Sequence, residues 1–272
     1  MSEFLFPSFI EDESRKAILE AGKIAKRLKK NISVKYKSKN QPVTNADVTI
    51  DNFLKIFFEE KTPDYGWVSE ESEDNKSRYN SDLFWCLDPI DGTRSYINGK
   101  PEYTISLALI KKNIPVLGIV LNPETDELFF AIKNKGAYCN ENRINVRNKQ
   151  NLSSSICAIS SSEVAKIEEY DCFHKENIIK MGSIAYKIAL VAKGKIDIAM
   201  SFTKKNDWDI AASQLILEEA GGVLKNISGK KCLAKARKLV SSNIIFKCFS
   251  VAHNCARGDF WSCFSDSNIS NY

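Results

Sequence analysis

Three apolar runs in quick succession, YTISLALI (103–110), VLGIVL (116–121) and ELFFAI (127–132), limit the fold of this chain more than any other feature. Each has the length of a strand and is rich in β-branched and aromatic residues. The connections are short and carry turn residues: Lys112–Asn113, then Asn122-Pro123-Glu124-Thr125. WVSEES (67–72) and LFWCLD (83–88) read as earlier strands, and Gly136 with Asn140 to Asn142 marks a further hairpin. Five or more adjoining strands of this kind predict a mostly antiparallel sheet.

Helical spacing appears on either side. Residues 9–30 place Ile18, Ala21, Ala25 and Leu28 on one face. After a polar hairpin or loop at Lys35 to Asn40, a second helix is expected from about Ala46, capped by Thr44 or Asn45. Beyond residue 150 the pattern alternates. SICAIS (155–160) and KIDIAMS (195–201) read as strands. Helices are expected near 162–169, in GSIAYKIALVAKG (182–194) and in DWDIAASQLILEEAGG (207–222). In the last of these Trp208, Ala211, Ala212 and Leu215 share a face, and Gly221 is the stop. The prediction is an α/β chain: an α+β part over 1–146, an α/β part over 147–242, and an atypical tail over 243–272.

Composition narrows the function classes. The 272 residues carry a formal net charge of +5, 43% hydrophobic and 27% charged residues, which is ordinary for a globular chain. The lysines form no long basic block interleaved with aromatics, so nucleic acid is not an expected partner. No segment approaches the roughly 18 apolar residues that cross a bilayer. MSEFLFPSFIEDESRK turns acidic too early for a secretion signal, so no membrane and a cytoplasmic setting are expected. Eight cysteines without a CxxC pair, and only two histidines, argue for reduced thiols rather than zinc.

The chemistry concentrates in LDPIDGTRSY, residues 87–96. Asp88 and Asp91 sit three positions apart around Pro89, which holds Asp88 extended. Two carboxylates that close repel each other, and desolvation sharpens the repulsion, so a cation is expected between them. Gly92 lets backbone approach a ligand, and Thr93 offers a hydroxyl and an N–H. Glu70 and Glu71 close the WVSEES segment, Asp47 lies at a helix start, and Asp209 follows Trp208 in the first turn of another helix. Singly, each of these acids is a surface or capping residue. Together, hard oxygens without nitrogen or sulfur neighbours suit Mg2+.

The ordered set Asp47, Glu70-Glu71, Asp88-Pro-Ile-Asp91-Gly-Thr93 and Trp208-Asp209-Ile-Ala-Ala resembles the inositol monophosphatase superfamily, from about residue 10 to Ser242. That resemblance implies a layered αβαβα sandwich with its site in a cleft, and a Mg2+-dependent phosphatase, often lithium-sensitive and often a homodimer. It implies two or three ions. Glu70, Asp88 and the Ile90 carbonyl would hold the first, and Asp88, Asp91 and Asp209 the second. Thr93 linked to Asp47 would help deprotonate the attacking water, with Glu71 supporting the set. Gly92 and Thr93 N–H groups would bind phosphate, and Gly182-Ser183 resembles the segment that touches substrate.

The resemblance implies a small phosphorylated metabolite as the substrate. Inositol-specific members carry Asn shortly after Gly-Thr, where this chain has Arg94, and an acid seven positions before the Trp-Asp aspartate, where it has Phe202. Phenylalanine accepts no hydrogen bond from a polyol. This pattern is closer to the 3'(2'),5'-bisphosphate nucleotidases, with Lys204 and Lys205 placed to meet a second phosphate. Inositol 1-phosphate and histidinol phosphate are the alternatives, and a silent scaffold on the same fold is the non-enzymatic one. The segment IIFKCFSVAHNCARGDFWSCFSDSNISNY departs from the family in composition, so a poorly ordered tail or a shifted reading frame is expected there. Cys248, His253 and Cys255 match no standard zinc spacing.

Overall fold

A computed structural model describes residues 8–38, 41–148, 153–168, 173–226 and 242–247. In chain order the elements are α1 (Ser8–Leu28), β1 (Val34–Ser38), β2 (Gln41–Thr44), α2 (Asn45–Lys61), β3 (Gly66–Ser69), β4 (Leu83–Asp91) and α3 (Thr93–Ile97). The meander follows as β5 (Thr104–Lys111), β6 (Ile114–Asn122), β7 (Glu127–Ile132), β8 (Ala137–Cys139) and β9 (Asn142–Ile144). The second half holds β10 (Cys157–Ile159), α4 (Val164–Glu168), β11 (Ile178–Lys180), α5 (Ile184–Ala192), β12 (Ile198–Lys205), α6 (Asp207–Glu219), β13 (Val223–Asn226) and β14 (Ser242–Lys247).

Strands β3 to β9 form one seven-stranded sheet in sequence order, antiparallel except for the parallel pair β3–β4. Its runs are apolar throughout because both faces are covered. Alternation along β4 sends Trp85 and Leu87 to the α1–α2 side, and Phe84 and Cys86 to the α5–α6 side. Strand β6 divides in the same way, with Ile119 facing α1–α2 and Val120 facing α5–α6. Gly118 is what admits α6, since a Cβ there would meet the Ala212 carbonyl oxygen at 2.5 Å.

The second sheet has the order β11-β10-β12-β14-β13. One face joins α5 and α6 in the central core through Ala158, Ala199 and Leu224, and the other packs on α4 through Cys157, Ile159 and Met200. The layers are therefore helix, sheet, helix, sheet, helix, as expected. One boundary differs from the sequence reading. Residues 243–247, assigned there to an atypical tail, belong to β14 and pair with both β12 and β13. Cys248, His253 and Cys255 lie outside the described residues. Among the described residues no helix is long and apolar enough to cross a membrane.

Candidate metal centre and substrate cleft

Register builds the acidic cluster. Strand β3 runs parallel to β4 with Ser69 paired to Leu87, so the next residues, Glu70 and Asp88, emerge side by side. Glu70 N donates to Leu87 O at 3.2 Å. Asp88 pairs with Ser106 on β5, and Ser106 Oγ donates to Trp208 O at 3.4 Å, which sets the start of α6 over the same point. Asp209 is fixed there by a capping box in which its Oδ2 accepts from Asn206 N at 2.5 Å. One carboxylate oxygen from each of Glu70, Asp88 and Asp209 lies within 4.8 Å of the others.

Asp91 is placed differently from Asp88. Between Asp88 and Asp91, β4 gains a residue against β5, a bulge at Pro89, which has no N–H to give to the ladder. The bulge turns Asp91 toward α5, where its Oδ2 accepts from Ser183 Oγ at 2.5 Å and Ala185 N at 2.6 Å. That oxygen is committed to the helix start, while the Asp91 charge still acts on Asp88 and Asp209.

The Ile90 carbonyl accepts from Thr93 Oγ1 at 3.0 Å. The same hydroxyl lies 3.4 Å from Asp47 Oδ1. Asp47 also serves its helix, since its Oδ2 accepts from Thr44 N at 2.8 Å and Thr44 Oγ1 at 2.5 Å. The capping and functional readings of Asp47 therefore describe its two oxygens. Gly92 stands at φ 95°, and a Cβ on it would lie 2.9 Å from Glu102 O and 3.1 Å from Ser183 N. No other residue fits that turn.

Burial raises the carboxyl groups. Asp88 is held well above the usual range, first by burial and then by Glu70, Asp91, Asp209 and Asp47. Asp209 is pushed to about 7 by burial and then by the Asp91 charge. Asp47 rises to about 6 and Glu71 to about 7, again by burial first. Hard oxygen donors in mutual repulsion can hold a metal ion. One cation does approach: Lys37 Nζ, from β1, donates to Glu71 Oε1 at 2.8 Å and Glu70 Oε1 at 3.1 Å. Sequence reasoning missed this lysine, because no spacing rule ties residue 37 to residue 70.

Beside the acids opens a cavity of about 540 Å3, bordered by Thr93, Arg94, Gly182, Ser183, Thr203 and Lys205. Of the expected substrate-side residues, Gly92, Thr93, Gly182, Ser183 and Lys205 line it. Phe202 does not. Its ring packs against the outer core of Cys157, Ile159 and Met200, where an apolar side chain is better placed, and its N–H donates to Glu163 Oε1 at 2.6 Å.

The layered α/β fold carries a carboxylate cluster that could hold a metal ion. The model of the inositol monophosphatase family matches residues 9–262, and the chain belongs to that family of phosphoric monoester hydrolases. The match runs past Ser242, where the sequence reading ended the resemblance, so residues 243–262 also fit the family pattern. A fructose-1,6-bisphosphatase/inositol-1-monophosphatase of Aquifex aeolicus is 33% identical over 232 residues, covering 78% of this chain and 86% of that protein. Nus factor SuhB of Pasteurella multocida is 30% identical over 214 residues, 76% of this chain and 79% of that one. The solved structure of Thermotoga maritima IMPase superposes with a TM-score of 0.76 at 29% identity, over 87% of this chain and 91% of that chain.

Proposed function

We propose that this chain is a Mg2+-dependent phosphomonoesterase that transfers the phosphoryl group of a small metabolite directly to water, with adenosine 3',5'-bisphosphate as its leading substrate. The observation that carries the reaction is the convergence of Glu70, Asp88 and Asp209 within 4.8 Å, beside the Thr93–Asp47 pair. Those three carboxylates, with the Ile90 carbonyl and the second oxygen of Asp91, would hold two or three Mg2+ ions. Bound there, the ions supply charge neutralisation and Lewis acidity toward the ester and the water. The chain's own residues do the rest. The single Thr93 hydroxyl proton is shared between Ile90 O and Asp47 Oδ1. Thr93 can therefore take a proton from water while passing its own to Asp47. Asp47, almost fully buried and 3.4 Å from the Thr93 hydroxyl, is the acceptor for that proton. The Gly92 and Thr93 N–H groups, on the cavity wall, would bind phosphate oxygens, and Glu71 supports Glu70 through their shared Lys37.

Arg94 and Lys205 on the cavity wall favour a substrate with more than one acidic group. Inositol 1-phosphate is the second reading, motivated by relatives that carry that activity in their names. The Nus-factor relatives motivate the third, a binding scaffold. Phosphate release from adenosine 3',5'-bisphosphate, inositol 1-phosphate, histidinol phosphate and fructose 1,6-bisphosphate, with and without Mg2+ and with Li+, separates them. Release from none of these esters removes the enzymatic reading.

A further inference from the structure

Helix α2 carries a second buried acid that neither the carboxylate cluster nor the helix cap uses. Asp51 lies one turn after Asp47 and is 3% exposed. A carboxylate withdrawn from water needs hydrogen-bond donors or a cation. Lys55, one turn further along α2, acts on it through space but makes its ion pair with Glu59, at 4.0 Å.

The groups that bond to Asp51 are two serine hydroxyls from the segment around the end of β3. Ser72 Oγ donates to Asp51 Oδ1 at 3.4 Å. Ser69, the last residue of β3 and 5% exposed, bonds to the same carboxylate. Proton counting fixes the direction of both contacts. Trp67 Nε1 donates to Ser72 Oγ at 3.2 Å, and Glu71 N donates to Ser69 Oγ at 3.4 Å. Each hydroxyl oxygen is thus already an acceptor, and its single proton goes to Asp51. Two relays, one from Trp67 through Ser72 and one from Glu71 through Ser69, end on one carboxylate.

Between these two serines stand Glu70 and Glu71. Glu70 is one of the three clustered carboxylates. Residues 70–72 belong to no helix or strand, and the backbone bond from Glu70 N to Leu87 O, at 3.2 Å, ties them to the sheet on one side only. Asp51 supplies the tie on the other side, to α2, which also carries Asp47. One helix therefore sets both the Thr93 partner and the bend that presents Glu70. Mg2+ demands near-ideal octahedral geometry, so a small displacement of one carboxylate costs affinity.

We propose that Asp51 is a positioning residue of the metal centre, holding Glu70 at the ion through the hydroxyls of Ser69 and Ser72. This rests on the metal-dependent phosphatase reading above and adds a residue to it. Asp51 is outside the three-carboxylate group and acts through the bend.

The test is the melting temperature titrated with Mg2+, which reads ion binding without turnover and shows at the same time that each variant is folded. Asp51→Asn keeps the size of the side chain and one acceptor oxygen, but offers an NH2 group to the second hydroxyl. Its half-saturating Mg2+ concentration should rise about 10–100-fold, the range for losing a group that orients a metal ligand. Ser72→Ala, which removes one relay, should raise it several-fold, and Ser72→Thr, which keeps a hydroxyl, should return it to the wild-type value. A folded Asp51→Asn protein with wild-type Mg2+ binding overturns the proposal, whatever its melting temperature without the ion, by reducing Asp51 to a structural role. If Asp51→Asn does not fold, the serine pair decides: weakened binding that threonine restores upholds the proposal, and equal binding in both overturns it. If the wild-type protein binds Mg2+ but hydrolyses no phosphate ester, the phosphatase reading fails by itself, and the same comparison of Mg2+ binding still decides the role of Asp51.

Discussion

Ser183 Oγ donates to Asp91 Oδ2 at 2.5 Å, joining residues 92 positions apart. Because its one proton goes to Asp91, Ser183 must accept from Thr104, 3.0 Å away, and it also accepts from Tyr186 N at 3.0 Å as the N-cap of α5. A single hydroxyl thus ties the end of β4, the start of β5 and the first turn of α5 together at the edge of the metal cluster. Ser183→Ala removes a cap and leaves a buried carboxylate short of a partner. The expected loss is about 1–3 kcal/mol in urea unfolding. Ser183→Gly should cost less than Ser183→Ala, because the backbone stands at φ 51°, where glycine is unstrained. Equal stability of Ser183→Ala and wild type would refute the tie.

Asp47 has one oxygen on its helix cap and one on Thr93, and a substitution can separate them. Asparagine retains a carbonyl oxygen that can accept from Thr44 N, so Asp47→Asn should melt near the wild-type temperature. It cannot take up a proton, and turnover should fall by about 10²–10⁴, the range for losing a general base. Normal turnover in a folded Asp47→Asn protein would remove Asp47 from the proton path.

Lys37 competes for the cluster. Its ammonium sits on Glu70 and Glu71, and although burial alone would lower its pKa, the two carboxylates raise it. A metal ion taking Glu70 must share or displace that contact. Lys37→Met should therefore lower the Mg2+ concentration needed for half-maximal activity or binding by several-fold. An unchanged or higher requirement would mean that Lys37 helps to seat the ion.

The sequence made the central meander legible because its apolar runs are long and their turns short. The cluster's members could be named because Asp-Pro-Ile-Asp-Gly-Thr and Trp-Asp are local patterns. What stayed hidden was non-local. Strand β11, three residues long, and β13 carry too few residues for a periodicity to show. The tail composition concealed the Ile-Ile-Phe strand β14. Asp91 stands beside Asp88, as its spacing suggested, but the one-residue bulge that aims its Oδ2 at Ser183 leaves little mark beyond its proline. Phe202 was assigned to the substrate by position, whereas strand geometry sent its ring to the core. Asp51 lies one helical turn after Asp47, and its meaning needed the partners Ser69 and Ser72.

The acidic cluster should make the metal-free protein respond to pH in the sense opposite to most carboxylates. Asp47 near 6, and Glu71 and Asp209 near 7, lie above the ordinary carboxylate value of about 4 that they regain on unfolding. Between about pH 4 and 7 these three groups therefore hold more protons in the folded chain than in the unfolded one, and their contribution to stability falls as pH rises through that window. Glu124 and Glu127, lowered by their lysine and tyrosine partners despite burial, pull the other way, so the melting curve alone mixes both signs. Saturating Mg2+ isolates the cluster, because the ion replaces the protons. The melting temperature gained on adding Mg2+ should be small at pH 5 and grow by several degrees toward pH 7.5, as measured by scanning calorimetry. A gain that stays constant across that range would mean that the carboxylates near the ion do not titrate there, and the cluster would not be the site of binding.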